Sequence, residues 1–294
     1  MSRPTLLAVA LVAALLVPPT AQAQSRQQLY VSLGDSYATG YQPTGQGQGR
    51  NTTKGFAHQL PGLARKRGWR LKLVNFGCGG ATTTSMNEGG CVERARAVGG
   101  ASYGGRTQLQ AAERFIRRNR KRVGLITVSI GGNDVTSCAR GAADPVACVG
   151  AAVEGIKTNV SAIARRLRKA AGPRTRIVGI TYPDVILGQW VTGVQSDRDL
   201  ASLSVFAFRE LINPALKEAY AAGRGRFVDV TTATGAYTPL EQTTTLAPYG
   251  TVPVAVARVC ELTWFCQYRD IHARTSGYRL IADLIAETLP RRRR

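Results

Sequence analysis

Five short apolar runs rich in β-branched residues punctuate the chain, at residues 29–33, 71–76, 123–130, 176–181 and 226–230. Each is bounded by Gly, Pro or charged residues and lacks polar alternation, the pattern of strands covered on both faces. Between them apolar positions recur at helical spacing, at 56–66, 108–119, 149–170 and 200–222, with a last amphipathic stretch at 276–289. Strand and helix alternate, which predicts α/β architecture: a three-layer α/β/α sandwich around a central five-stranded parallel sheet, flavodoxin-like in outline. Segments 41–54, 82–105 and 232–269 carry neither period and read as long loops, each after a strand and before a helix. They therefore gather at the carboxyl edge of the sheet, where such folds bind their ligands.

The first residues change the picture of where the chain works. Arg3, an apolar stretch at 6–17, Pro18-Pro19 and Ala21-Gln22-Ala23 have the layout of a cleavable secretory signal, with cleavage after Ala23. The stretch falls short of the roughly 20 residues of a membrane span. Residues 1–23 are thus read as a signal peptide and 24–294 as one secreted, extracellular domain with a basic tail at 291–294. Six cysteines fit an oxidising compartment, and sequential pairing is expected, Cys78 with Cys91, Cys138 with Cys148 and Cys260 with Cys266, because each pair brackets a loop beside one of the chemical motifs. No Cys-x-x-Cys occurs and there are two histidines, so neither a metal nor another cofactor is expected.

The formal charge is +21, but seven of the 39 basic residues are lysine, an arginine bias that base composition of the genome can produce. The runs at 65–67, 117–118 and 120–122 look like helix ends, where cations suit the macrodipole. Without interleaved aromatics they argue against nucleic-acid binding and leave a weak attraction to anionic surfaces. A monomer is expected.

Candidate chemistry lies at the ends of the predicted strands. Gly34-Asp35-Ser36-Tyr37 follows the first run, Asn75-Phe76-Gly77-Cys78-Gly79-Gly80 the second and Gly131-Gly132-Asn133-Asp134 the third, while Asp270-Ile271-His272 precedes the last helix. Gly-Asp-Ser alone also makes turns and helix caps. With the other motifs in order it supplies a nucleophile, Ser36, and a base, His272, since His58 sits on an apolar helical face. The set resembles the SGNH hydrolase superfamily, also called GDSL esterases and lipases, and in particular its secreted, disulfide-containing bacterial branch. The resemblance runs from about residue 28 to 289.

It implies an acyl-enzyme on Ser36 and an oxyanion site formed by the Ser36 backbone N–H, the Gly80 N–H and the Asn133 amide. It departs from the family at the acid. The usual Asp-x-x-His would put a carboxylate at 269, where this chain has Arg269, with Asp270 one step closer to the histidine. Either Asp270 holds the imidazole, or the Arg269 main-chain carbonyl replaces the acid in a Ser-His dyad, with the carbonyl slightly favoured. The Gly-x-Ser-x-Gly match at 100–104 follows a charged stretch and reads as a loop. The glycine-rich 45–49 reads as a pocket rim, and Tyr37, Tyr41, Trp190, Tyr249, Trp264, Phe265 and Tyr268 as its aromatic lining. The expected activity is hydrolysis of small-molecule or lipid esters, with acylglycerols and other fatty acyl esters favoured by family analogy. Polysaccharide acetylesterase and a non-catalytic cationic envelope-binding protein are the alternatives.

Overall fold

The computed structural model describes residues 27–136, 138 and 143–292. The expected signal peptide at 1–23 and the last two arginines of the tail lie outside the described residues. Five strands, β1 (Gln28–Gly34), β2 (Leu71–Asn75), β3 (Val123–Ser129), β4 (Arg176–Ile180) and β5 (Arg226–Val228), form one sheet. Every neighbouring pair is parallel and the order is β2-β1-β3-β4-β5, so the fold is the flavodoxin-like α/β/α sandwich that the apolar runs indicated. The order reverses between β1 and β3, which opens the ligand crevice beyond their carboxyl ends.

Helices α1 (Phe56–Lys66), α2 (Gln108–Arg118), α3 (Pro145–Ala171), α4 (Gln195–Phe206), α5 (Asn213–Ala221), α6 (Val254–Leu262) and α7 (Thr275–Glu287) complete the frame. Alternate strand residues point to opposite faces. Val31, Leu33, Ile126 and Val128 pack against α2, α3 and α5, whereas Tyr30, Leu125, Val178 and Ile180 pack against α1 and α7. Thr127 is buried among them, and its hydroxyl pairs with the Tyr30 hydroxyl at 2.8 Å, which removes the penalty of an unpaired polar group.

Several segments are more ordered than the sequence suggests. The stretch 41–54 contains a hairpin, Gln42–Gly45 with Gln48–Arg50, and 82–105 begins with a capped helix, Thr83–Glu88. The stretch 232–269 contains α6 and a second hairpin, Thr243–Leu246 with Gly250–Pro253. Their apolar residues pack on one another as a small satellite core rather than on the sheet, so the long-range period is missing. The helix predicted over 200–222 is broken by a π turn, Ala207–Ile212, before α5. Pro214, at the start of α5, has no N–H to return to the preceding turn, and a widened turn absorbs the loss.

Candidate active site

Ser36 sits at the crest of a sharp turn out of β1. Gly34 takes φ 141°, and a side chain there would press a Cβ to 2.2 Å from the Ser129 carbonyl oxygen, so only glycine lets the chain pass β3. The Gln108 amide at the start of α2 grips the turn from both sides: the Gly34 N–H donates to its oxygen at 2.9 Å and its NH2 donates to the Gly34 carbonyl at 3.0 Å. Asp35 caps the one-turn helix Ser36–Thr39 by accepting from the Tyr37 N–H at 2.9 Å. Its other oxygen accepts from the Tyr182 hydroxyl at 2.6 Å. Burial pushes the Asp35 carboxyl up to about 7 and the Tyr182 phenol well above its usual range. Ser36 itself is 8 % exposed, with its hydroxyl facing the crevice.

His272 reaches the same point from an irregular segment. Thr263 and Ala273 form an isolated antiparallel bridge, and the Trp264 N–H donates to the His272 carbonyl at 2.9 Å, so the intervening residues close into a loop. The Tyr37 hydroxyl donates to the Ile271 carbonyl at 2.7 Å and the Gln42 amide to the Ala273 carbonyl at 2.7 Å. The imidazole Nε2 lies 2.7 Å from Ser36 Oγ. Its Nδ1 lies 2.7 Å from Asp270 Oδ1, which also accepts from the His272 backbone N–H at 2.9 Å. Asp270 thus makes an Asx turn that lays its carboxylate against the ring two residues on. The partner of Nδ1 is therefore this carboxylate and not the Arg269 carbonyl favoured from the sequence. Arg269 takes the left-handed φ 55°, the bend that brings the acid round. With Nδ1–H donated to Asp270, the lone pair on Nε2 is free to accept the Ser36 proton.

The oxyanion candidates converge on the same spot. Gly80, in the left-handed conformation at φ 78°, Asn133 and Ser36 all line one cleft with His272. The Asn133 NH2 donates to the Ala81 carbonyl at 2.8 Å, tying the loop after β3 to the loop after β2. Asp134 reinforces the tie by accepting from the Thr83 N–H at 3.0 Å and the Thr83 hydroxyl at 2.6 Å. Asn75 braces the other side, donating to the Ala38 carbonyl at 2.8 Å and accepting from the Gly77 N–H at 2.8 Å. Disulfides join Cys78 to Cys91, Cys138 to Cys148 and Cys260 to Cys266, and the first closes the Gly80 loop while the third clasps α6 to the turn before Asp270. Among the described residues no group of three or more His, Cys, Asp or Glu could hold a metal ion.

Two compartments meet at Ser36, Asn133 and Ile271. One is a channel walled almost wholly by apolar side chains, including Val135, Val149, Val185, Leu203, Phe206 and Leu211. It runs between the start of α3, the segment Val185–Thr192, α4 and the π turn. The other is a polar cleft holding His272, Asp270, Gly80, Tyr41, Tyr268 and the turn of the first hairpin. Of the aromatic rim expected from the sequence, Tyr37, Tyr41 and Tyr268 line these compartments. Trp190 and Tyr249 instead pack on the satellite core, Phe265 is buried against Gly188, and Trp264 lies under the Arg274 guanidinium at 4.1 Å. His58 stays on α1, away from both compartments, and Ser102 of the Gly-x-Ser-x-Gly match is exposed on a loop. Asn75 and Asp134 lie in the candidate motifs but had no role assigned there, and neither Gln108, the bond from Tyr182 to Asp35 nor the apolar channel left a local signal in the sequence.

A family model described as GDSL-like Lipase/Acylhydrolase matches residues 32–280. No curated protein sequence matches the chain. Among solved structures, an extracellular lipase from Streptomyces rimosus is similar at 17% identity and TM-score 0.47, over 89% of this chain and 98% of that one. An aryl esterase from M. smegmatis is similar at 12% identity and TM-score 0.45, over 89% and 97% of the two chains. A carbohydrate acetylesterase from Sinorhizobium meliloti is similar at 11% identity and TM-score 0.47, over 89% and 97%.

Proposed function

From the premise that the chain belongs to the GDSL-like lipase and acylhydrolase family, we propose that it is a secreted serine hydrolase cleaving fatty acyl esters through an acyl-enzyme on Ser36. The observation that carries this reading is the meeting of three things at one oxygen. Ser36 Oγ lies 2.7 Å from the imidazole, beside Gly80 and Asn133, and at the mouth of an apolar channel.

In the first step His272 Nε2 takes the Ser36 proton as Oγ bonds to the ester carbonyl carbon, and Asp270 stabilises the resulting imidazolium. The carbonyl oxygen becomes negative and is met by the Ser36 and Gly80 backbone N–H groups and the Asn133 amide, donors fixed beforehand by the Ala81 and Thr83 contacts. The tetrahedral adduct collapses, its bond to the alcohol oxygen breaks, and His272 returns the proton to that oxygen. Water, deprotonated by the same imidazole, then attacks the acyl carbon; the second adduct collapses with cleavage of its bond to Ser36 Oγ, the imidazolium returns the proton to Oγ, and the carboxylic acid leaves. The acyl chain lies in the channel, where each buried methylene contributes about 0.8 kcal/mol. Export is supported by the signal-like leader and by the disulfides, which suit an oxidising medium.

Turnover of p-nitrophenyl esters from acetyl to hexadecanoyl tests the substrate class. The channel calls for kcat/KM rising roughly tenfold or more from acetyl to a medium chain of eight to twelve carbons. A maximum at acetyl would favour deacetylation of polysaccharide instead.

A further inference from the structure

We infer that the alcohol side of this site selects esters whose leaving group carries an anion, a phosphate or a carboxylate, with Arg50 and Arg94 as the specificity-determining residues. The inference rests on the proposed roles of Ser36 and His272. Protonation of the departing oxygen by His272 fixes the direction in which the alcohol lies. His272 lines the polar cleft and not the apolar channel, so the acyl chain and the alcohol occupy opposite compartments.

The wall of that alcohol compartment is cationic. Arg50, at the end of the first hairpin, and Arg94, in the short 3-10 turn Glu93–Ala95, come from separate segments and line the cleft that holds Ser36 and His272. Arg269 lines it too, with its guanidinium hydrogen-bonded to Gln189. The carboxylate in the same lining is Asp270, which is engaged by His272, and Glu93 next to Arg94 is taken by Arg96 at 3.2 Å. Among the described residues neither Arg50 nor Arg94 forms an ion pair with a carboxylate.

Their backbones are stitched together rather than left to wander. Asn51, next to Arg50, donates to the carbonyls of Ala95 at 3.2 Å and Arg96 at 2.9 Å, and accepts from the Thr39 hydroxyl at 2.6 Å on the Ser36 helix. The Gly79 N–H donates to the Ala95 carbonyl at 2.7 Å, and the Cys78–Cys91 bridge closes the same segment. One side chain therefore ties both arginine-bearing segments to the nucleophile. A guanidinium presents a planar fork that suits phosphate and carboxylate oxygens, so two of them on a fixed wall discriminate by charge.

The test uses the full secreted chain and three dodecanoyl esters below their micelle concentrations: 1-dodecanoylglycerol, 1-dodecanoylglycerol 3-phosphate and O-dodecanoyl glycolate. The inference calls for kcat/KM at least about tenfold higher for one or both anionic esters than for the neutral one at low ionic strength, shrinking severalfold in 0.5 M salt. Advantage for phosphate alone assigns the wall to phosphate esters, and advantage for both assigns it to anions in general. In the double variant R50Q/R94Q the ratio falls toward one, chiefly through KM. A ratio near one in the unaltered protein, or a ratio that survives in R50Q/R94Q, overturns the inference and leaves the hydrolase reading intact. Hydrolysis of none of the three esters, nor of p-nitrophenyl esters, overturns the hydrolase reading itself.

Discussion

Ser36 and His272 meet at one point but are held there by different means. Ser36 hangs from a central strand, and its turn is gripped by Gln108, capped by Asp35 and bounded by a glycine that no other residue can replace. His272 has no strand or helix of its own. It depends on an Asx turn, one bridge at Thr263 and Ala273, and hydroxyl and amide contacts from Tyr37 and Gln42. The proposed nucleophile is thus fixed by the fold and the proposed base by a few polar contacts. The orientation of the imidazole should be the more easily disturbed of the two.

The largest effect expected on this contrast comes from Asp270→Asn. Loss of the carboxylate leaves the ring without its charged partner, and kcat should fall on the order of 10⁴-fold with KM little changed. A loss under tenfold would instead point to a main-chain carbonyl as the orienting group. Asn133→Ala comes next. It removes the proposed oxyanion donor and the Ala81 tie together, and steady-state kinetics should show kcat lower by about 10²–10³-fold. The smallest effect on rate is expected from Asp35→Asn, on the nucleophile side, where the amide oxygen can still accept from the Tyr37 N–H.

That variant has a clearer signature in stability. The Asp35 carboxyl is pushed up by burial from an ordinary 3.8 to about 7, so between those values the folded protein holds a proton that the unfolded chain releases. Its contribution to stability is full below about 4 and is lost as the pH rises through 7. Asp184, raised to about 7 by the same burial, acts in the same direction. Thermal melts at pH 5 and pH 8 should therefore show a drop in Tm that is smaller in Asp35→Asn than in the unaltered protein, by roughly 2–5 °C. An equal drop in both proteins would mean that Asp35 stays ionised when folded.

The fold was legible because strands buried on both faces write themselves as unbroken apolar runs, as 29–33 and 123–130 do. The positions of Ser36, Gly80, Asn133 and His272 were legible because each motif adjoins the crevice by topology. The supports were not. Gln108 reaches Gly34 across 74 residues and Tyr182 reaches Asp35 across 147, distances over which no local pattern survives. The apolar channel was hidden for a related reason. Val135, Val149, Leu203 and Leu211 come from four separate segments, and each reads locally as core. Val146, Leu203 and Phe206 in its lining stay exposed, 54 %, 39 % and 54 % accessible, a property of the folded molecule that no local pattern announces. The aromatic rim failed in the opposite way, because Trp190 and Tyr249 had a satellite core to fill that the sequence did not announce.

The central claim is that one hydroxyl on the sheet side and one imidazole on the loop side act as a pair. Treatment with a fluorophosphonate ester, followed by peptide mass spectrometry, addresses it directly. The account calls for a single adduct on Ser36, absent in Ser36→Ala and formed at least about a hundredfold more slowly in His272→Ala. An adduct on another residue, or ester hydrolysis that persists in Ser36→Ala, would contradict it.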